Sequence, residues 1–251
     1  MKIAIMGAGA LGGYFGGRLA EAGADVGFIA RGEHLAALKR DGLRIESPLG
    51  DAHLTAIRAT DDPAEIGPVD LVFFLVKLYD TETAAQALAP LLGRETAVFT
   101  FQNGIDGAAR IGAIVGEERV VDGIAYIPAD IRAPGVVRHR GDFARLLFGE
   151  TDGRESARCR ALKAALDGAG IDGELVSDIR VRKWQKFVML SGLSAITTLT
   201  RLPIGAILAD EACAQHFGHG LAETAAVGRA ACPDLPADAA DSALAVAHSF
   251  P

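Results

Sequence analysis

The sequence predicts an α/β fold in which a parallel-sheet domain is followed by a smaller, all-helical one. Three observations carry this expectation. Short apolar runs alternate with helical stretches from Lys2 to Thr100, the pattern of βαβ units feeding a parallel sheet. A glycine-rich GAGALG at 7–12 falls where the first strand ends and the first helix begins. Beyond Ser177 the chain reads as helix throughout.

The elements follow in order. Lys2–Met6 is a strand, because a short, largely apolar and β-branched run closed by Gly7 is too short for a helix. Ala10–Ala22 is a helix that Gly23 stops. Its four glycines, Gly12, Gly13, Gly16 and Gly17, each cost about 1 kcal/mol against alanine, so this helix must pack tightly against a sheet. Asp25–Ala30 and Leu71–Val76 are strands, Thr81–Leu92 is a helix, and Ala97–Thr100 is a further strand. LRIES (43–47) and HLTAIRA (53–59) flank a Pro-Leu-Gly-Asp turn and read as a hairpin inserted in the series. Val120–Ile127, Gly135–Arg140 and Arg145–Phe148 are strands around an Ala-Pro-Gly turn at 133–135, followed by a helix over 155–168 and a short strand over 174–176. The domains are therefore 1–177 and 178–251, with no flexible linker between them.

Composition narrows the function. Half of the 251 residues are hydrophobic, enough for a sizeable core. A net charge of -7 leaves no strongly basic surface, so nucleic acid and anionic membranes are excluded as partners and a small metabolite is favoured. Cys159, Cys213 and Cys232 are far apart, form no CxxC pair and have no zinc-type histidine spacing; they read as buried small hydrophobes in a reducing compartment, with no metal site. No signal-peptide core and no membrane-length apolar run occurs, which points to the cytoplasm.

GAGALG has the GxGxxG spacing in the strand-to-helix context that the motif requires, which makes the first domain a Rossmann-type dinucleotide-binding domain. Gly7 permits the tight turn, Gly9 lets backbone approach a pyrophosphate, and Gly12 brings helix and strand together; Ala8, Ala10 and Leu11 complete the cradle. At the end of the second strand an acid would bind a ribose 2′-hydroxyl, whereas an arginine accommodates a 2′-phosphate. This chain reads FIARGEH, so Arg31 favours NADP, the alternative being a solvated loop cation near Glu33. Lys77 and Asn103 each follow the carboxyl end of a strand, where ligands bind in open α/β sheets, although lysines there are often surface charges and Asn-Gly is a common turn. Lys186 shares an apolar helix face with Leu190, Leu193, Ser194 and Thr197, as a rim lysine or as a desolvated acid.

Taken together, GAGALG, Arg31 followed by HL, the Lys77 loop, the Gln-Asn-Gly and the Trp-Gln-Lys-Phe helix resemble the 2-dehydropantoate 2-reductase (ketopantoate reductase) family, in order and over essentially the whole chain. The resemblance implies NADPH-dependent reduction of a 2-keto acid on the route to pantothenate and coenzyme A. It assigns Lys186 as the catalytic lysine, Asn103 to cofactor and substrate, and Lys77 to the cofactor side. An ammonium suits this chemistry because hydride arrival builds alkoxide charge on the carbonyl oxygen, and Arg182 and Lys183 one turn away are expected to depress its pKa.

Two departures accompany the likeness. Leu190 and Ser194 stand at substrate-binding positions where the family has asparagines, and a leucine can neither donate nor accept. Family members also continue for some tens of residues past AHSFP, with a serine and a glutamate that complete the substrate site, so either a tail follows Pro251 or the second domain is shortened; exposed helices in a shortened domain leave a homodimer open. The alternatives are a 3-hydroxy acid dehydrogenase, against which the Lys77 and Gln-Asn-Gly stretches argue, and an NADP-binding protein without turnover.

Overall fold

Ile3, Ala4 and Ile5 are fully buried, as an apolar run must be when both faces of its sheet are covered. They belong to β1 (Lys2–Met6), the first element of a computed structural model that describes residues 1–250 and divides into two units, Met1–Ile179 and Arg180–Pro251. In the first unit β1 is followed by α1 (Ala10–Glu21), β2 (Asp25–Ile29), α2 (Gly32–Asp41), β3 (Leu43–Glu46), β4 (Ala52–Leu54), β5 (Arg58–Thr60) and β6 (Val69–Phe74). Then come α3 (Thr81–Gln86), β7 (Leu92–Thr100), α4 (Gly107–Val115), β8 (Val120–Tyr126), β9 (Ala129–Ala133), β10 (Val136–His139), β11 (Arg145–Gly149), α5 (Ala157–Gly168) and β12 (Asp172–Leu175).

The main sheet runs β12-β11-β8-β7-β6-β1-β2-β5 and is parallel except for the β8–β11 pair. Because the chain passes from β1 to β2 on one side and then to β6 on the other, the strand order reverses at β1, and ligands of open α/β sheets bind at such a point beyond the strands' carboxyl ends. A second sheet, β4-β3-β10-β9, covers the other side of α1. This sandwich explains the four glycines of α1. A Cβ on Gly12 or Gly16 would press into Ile5 on the main sheet, and one on Gly13 or Gly17 into Val137 or Ile45 on the small sheet.

Three expectations are corrected. The hairpin exists as β3–β4, but it builds the small sheet, and HLTAIRA splits at Thr55–Ala56 so that β5 joins the main sheet beside β2. One straight strand could not pack Leu54, partly buried, against the core on the α1 side and also place Thr60 against Ile29. The helix foreseen over 81–92 ends at Gln86, the residue whose carbonyl Pro90 would clash with, and a single 3₁₀ turn, Ala89–Leu91, leads directly into a longer β7. Helices α2 and α4 add to the predicted series; α2 buries Leu35 and Leu38 at helical spacing, and α4 hides the same signal behind Gly107 and Gly112.

The second unit consists of α6 (Ile179–Thr200), which starts at the last residue of the first, then α7 (Ile204–Ala209), α8 (Glu211–Ala231) and α9 (Ala239–Ala247). Its core joins Trp184, Val188 and Ile196 of α6 to Phe217 and Leu221 of α8 and to Ala239 and Ala243 of α9. Gly192 lets α6 approach Leu221 closely. Cys159 and Cys232 are buried as expected, but Cys213 is only half-buried. Among the described residues no helix is long and apolar enough to cross a membrane.

Candidate functional site

The β1–α1 loop has the geometry of an anion cradle. Gly7 adopts φ +99°, in the region that side chains disfavour, and makes the turn. Gly7 and Ala8 both donate backbone N–H to the Ile29 carbonyl, at 3.2 and 2.9 Å, which ties the loop to β2. Gly9 is the residue before α1, and a Cβ built there meets nothing within 4 Å, so its side faces open space. At Gly12 a Cβ would come 2.2 Å from the Gly7 carbonyl oxygen and 2.7 Å from Ile5 Cγ2; only hydrogen fits. No side chain caps α1 and its first turn carries no acid, so its amides and positive dipole end are left for an anion. Ala8 is buried, while Ala10 and Leu11 are half-buried. These features fit a dinucleotide pyrophosphate.

Three polar side chains hold this region in shape. His34 on α2 donates from Nε2 to the Ala8 carbonyl at 2.8 Å, and its Nδ1 accepts the Gly135 N–H at 3.1 Å, a network that assigns the neutral Nε2–H tautomer. Burial pushes the His34 pKa below its ordinary value, against the opposing pull of the bond to Ala8. Gln102, buried at the end of β7, donates to the Val76 carbonyl and to Thr81 Oγ1, both at 3.0 Å, and so joins the loops after β6 and β7. Arg110 donates to the Leu78 carbonyl at 3.0 Å and steadies the same loop from α4. In the sequence His34 and Gln102 stand only as letters of motifs, with no role assigned to either. The available signal was a polar residue beside apolar ones, as Gln102 is beside the buried Phe101.

Around this cradle the first unit gathers Arg31, Lys77 and Asn103. Arg31 follows β2, its side chain is 80% exposed, and its Nη2 donates to Asp80 Oδ2 at 2.6 Å; the acid that answers it is Asp80 rather than Glu33. Lys77 and Asn103 are exposed and lie three residues beyond β6 and β7.

Within the second unit, Lys186, Leu190 and Ser194 recur every four residues along α6, the first two half-buried and the third exposed, while Trp184 and Val188 turn into the core. The Lys186 pKa is lowered to about 8, by burial first and by the Lys183 charge second. Burial therefore outranks the neighbouring cations that the sequence suggested. A lysine at that value exchanges its proton near neutrality, as a general acid should.

Comparison with known proteins adds independent findings. The family model described as Ketopantoate reductase PanE/ApbA matches residues 3–153, and that described as Ketopantoate reductase PanE/ApbA C terminal matches 178–250. The chain is similar to 2-dehydropantoate 2-reductase of Mesorhizobium japonicum, 34% identical across 84% of this chain and 71% of that one. It is 35% identical to the 2-dehydropantoate 2-reductase of Archaeoglobus fulgidus, across 82% and 67% of the two chains. The crystal structure of 2-dehydropantoate 2-reductase from Porphyromonas gingivalis W83 superposes with a TM-score of 0.94 at 32% identity, covering 100% of this chain and 89% of that one.

Proposed function

The chain belongs to the ketopantoate reductase family, and we propose from that premise that it uses NADPH to reduce a 2-keto acid, 2-dehydropantoate in the first instance, to the 2-hydroxy acid. The observation that carries the proposal is Lys186, a half-buried lysine with a pKa near 8 in a chain whose other unit presents a dinucleotide cradle. When bound, NADPH supplies the hydride. The amides at the start of α1 would receive the pyrophosphate, and His34 holds the Ala8 carbonyl in a hydrogen bond of its own. Asn103 would orient cofactor and substrate, and Lys77 would add a cation on the cofactor side. Lys186 donates to the carbonyl oxygen as negative charge grows there and then gives up its proton to it. The direct test is to mix the protein with NADPH and a panel of 2-keto acids and follow the loss of nicotinamide absorbance; no loss with any of them would overturn the reading.

Arg31 gives the proposed NADP preference its physical basis, as an exposed guanidinium just after β2, a strand whose own end carries no acid. Arg31→Ala should raise the Kd for NADPH by about tenfold or more, the worth of a charge-assisted bond to the 2′-phosphate, and leave that for NADH nearly unchanged. Calorimetric titration with both nucleotides measures this; equal weakening would remove Arg31 from the phosphate site.

Leu190 and Ser194 shape the substrate side. Ketopantoate carries a hydroxyl that a leucine cannot bond, so an apolar 2-keto acid should compete well in this enzyme. Leu190→Asn with Ser194→Asn should raise kcat/KM for ketopantoate relative to such an acid by about tenfold, one to two neutral hydrogen bonds' worth. If the native protein already prefers ketopantoate strongly, another element supplies those contacts.

A further inference from the structure

Asp80 occupies the position just before α3, where a carboxylate ordinarily accepts from the amides of its own helix. It makes no such bond. Its Oδ2 instead accepts from Arg31 Nη2 at 2.6 Å. The two residues reach each other from opposite sides of β1, Arg31 after β2 and Asp80 after β6, so the pair bridges the carboxyl end of the strand that feeds the glycine loop. The acid is the more enclosed partner, with 27% of its side chain exposed against 80% for the arginine, so an incoming group meets the guanidinium with a carboxylate already on it.

We propose that Asp80 is a specificity-determining residue that opposes Arg31 and narrows the enzyme's preference for NADPH over NADH. The inference rests on the assignment of Arg31 to the 2′-phosphate. A 2′-phosphate carries about -1.5 to -2 charges at neutral pH, so binding it against Arg31 sets it beside a like charge. A ribose 2′-hydroxyl does the opposite, since it can donate to the Asp80 carboxylate while the ion pair stays intact. Arg31 thus favours one nucleotide and Asp80 the other, and the net preference is the difference between them.

The experiment measures Kd for NADPH and for NADH, by titration calorimetry on the full chain, in the native protein, Asp80→Asn and Arg31→Ala. Asp80→Asn keeps the side-chain shape, and Asp80→Ser, with a hydroxyl suited to the same helix start, serves as a second variant should the first fold poorly. Both should bind NADPH about fivefold more tightly and NADH more weakly, and the gain should shrink as salt is raised. An unchanged NADPH-to-NADH ratio would overturn the proposal. So would weaker NADPH binding, which would make Asp80 a support that positions Arg31 for the phosphate. If Arg31→Ala weakens NADPH selectively while Asp80→Asn moves nothing, only the Asp80 inference fails; if Arg31→Ala is itself without selective effect, the Arg31 assignment fails first.

Discussion

Lys186→Ala should lower kcat for 2-keto acid reduction by about 10² to 10⁴, the usual contribution of a positioned general acid, while the Kd for NADPH stays within error of the native value. The expectation follows from where the lysine sits. It is half-buried on α6, and desolvation, joined by the Lys183 charge, brings its pKa to about 8. The sign of the pH dependence is fixed by the direction of the reaction. Reduction needs the protonated form, so kcat/KM should be level below pH about 8 and fall as pH rises through that value. In Lys186→Ala that upper limb should disappear together with most of the rate. A simple binding contact behaves otherwise, because its loss raises KM and leaves kcat intact. Single-turnover hydride transfer in both proteins, with NADPH binding measured separately, distinguishes the two. Hydride transfer at the native rate in the mutant would return Lys186 to the status of a rim lysine.

The parts of this molecule that could be read from sequence are those in which one physical requirement dominates. β1 and α1 were legible almost to the residue, because a buried parallel strand admits only apolar side chains and the glycine spacing fixes where the helix starts. The glycines of α1 announced a close neighbour but not that there were two, since the small sheet is assembled from β3, β4, β9 and β10, with β10 pairing β3 from far along the chain, Val136 against Arg44. HLTAIRA misled for a related reason. As one run it suits a single strand, and the competing demands of two sheets break it at Thr55–Ala56. The early end of α3 was in principle available from Pro90 and the rule that a proline ends the helix behind it. Site residues show the same division. Glycines and strand-end cations can be found from pattern, whereas Asp80, His34 and Gln102 act through partners 49, 26 and 21 to 26 positions away, and no local pattern encodes such pairs.

Two glycines of the same motif should fail in different ways when each is replaced by alanine. At Gly12 the new methyl group would lie 2.2 Å from the Gly7 carbonyl oxygen, a backbone atom that cannot swing aside, and 2.7 Å from Ile5 Cγ2. Helix α1 must then move off β1, so Gly12→Ala should lower stability by about 1 to 3 kcal/mol or more, as overpacking does, and dinucleotide binding should fall with it because the amides at the helix start are displaced. Gly9 presents the converse case. A methyl group there meets no protein atom within 4 Å, and the φ of -74° is one that alanine adopts, so Gly9→Ala should melt within a degree or two of the native protein. What that methyl would fill is the space in which a pyrophosphate approaches the backbone, and NADPH affinity should drop by about tenfold or more through lost amide contacts. Thermal unfolding without nucleotide, paired with NADPH titration, reads both quantities. If Gly9→Ala binds NADPH as tightly as the native chain, the loop is a structural turn alone and the cradle assignment falls; if Gly12→Ala melts normally, α1 is free to shift and the close packing inferred at that position does not constrain the fold.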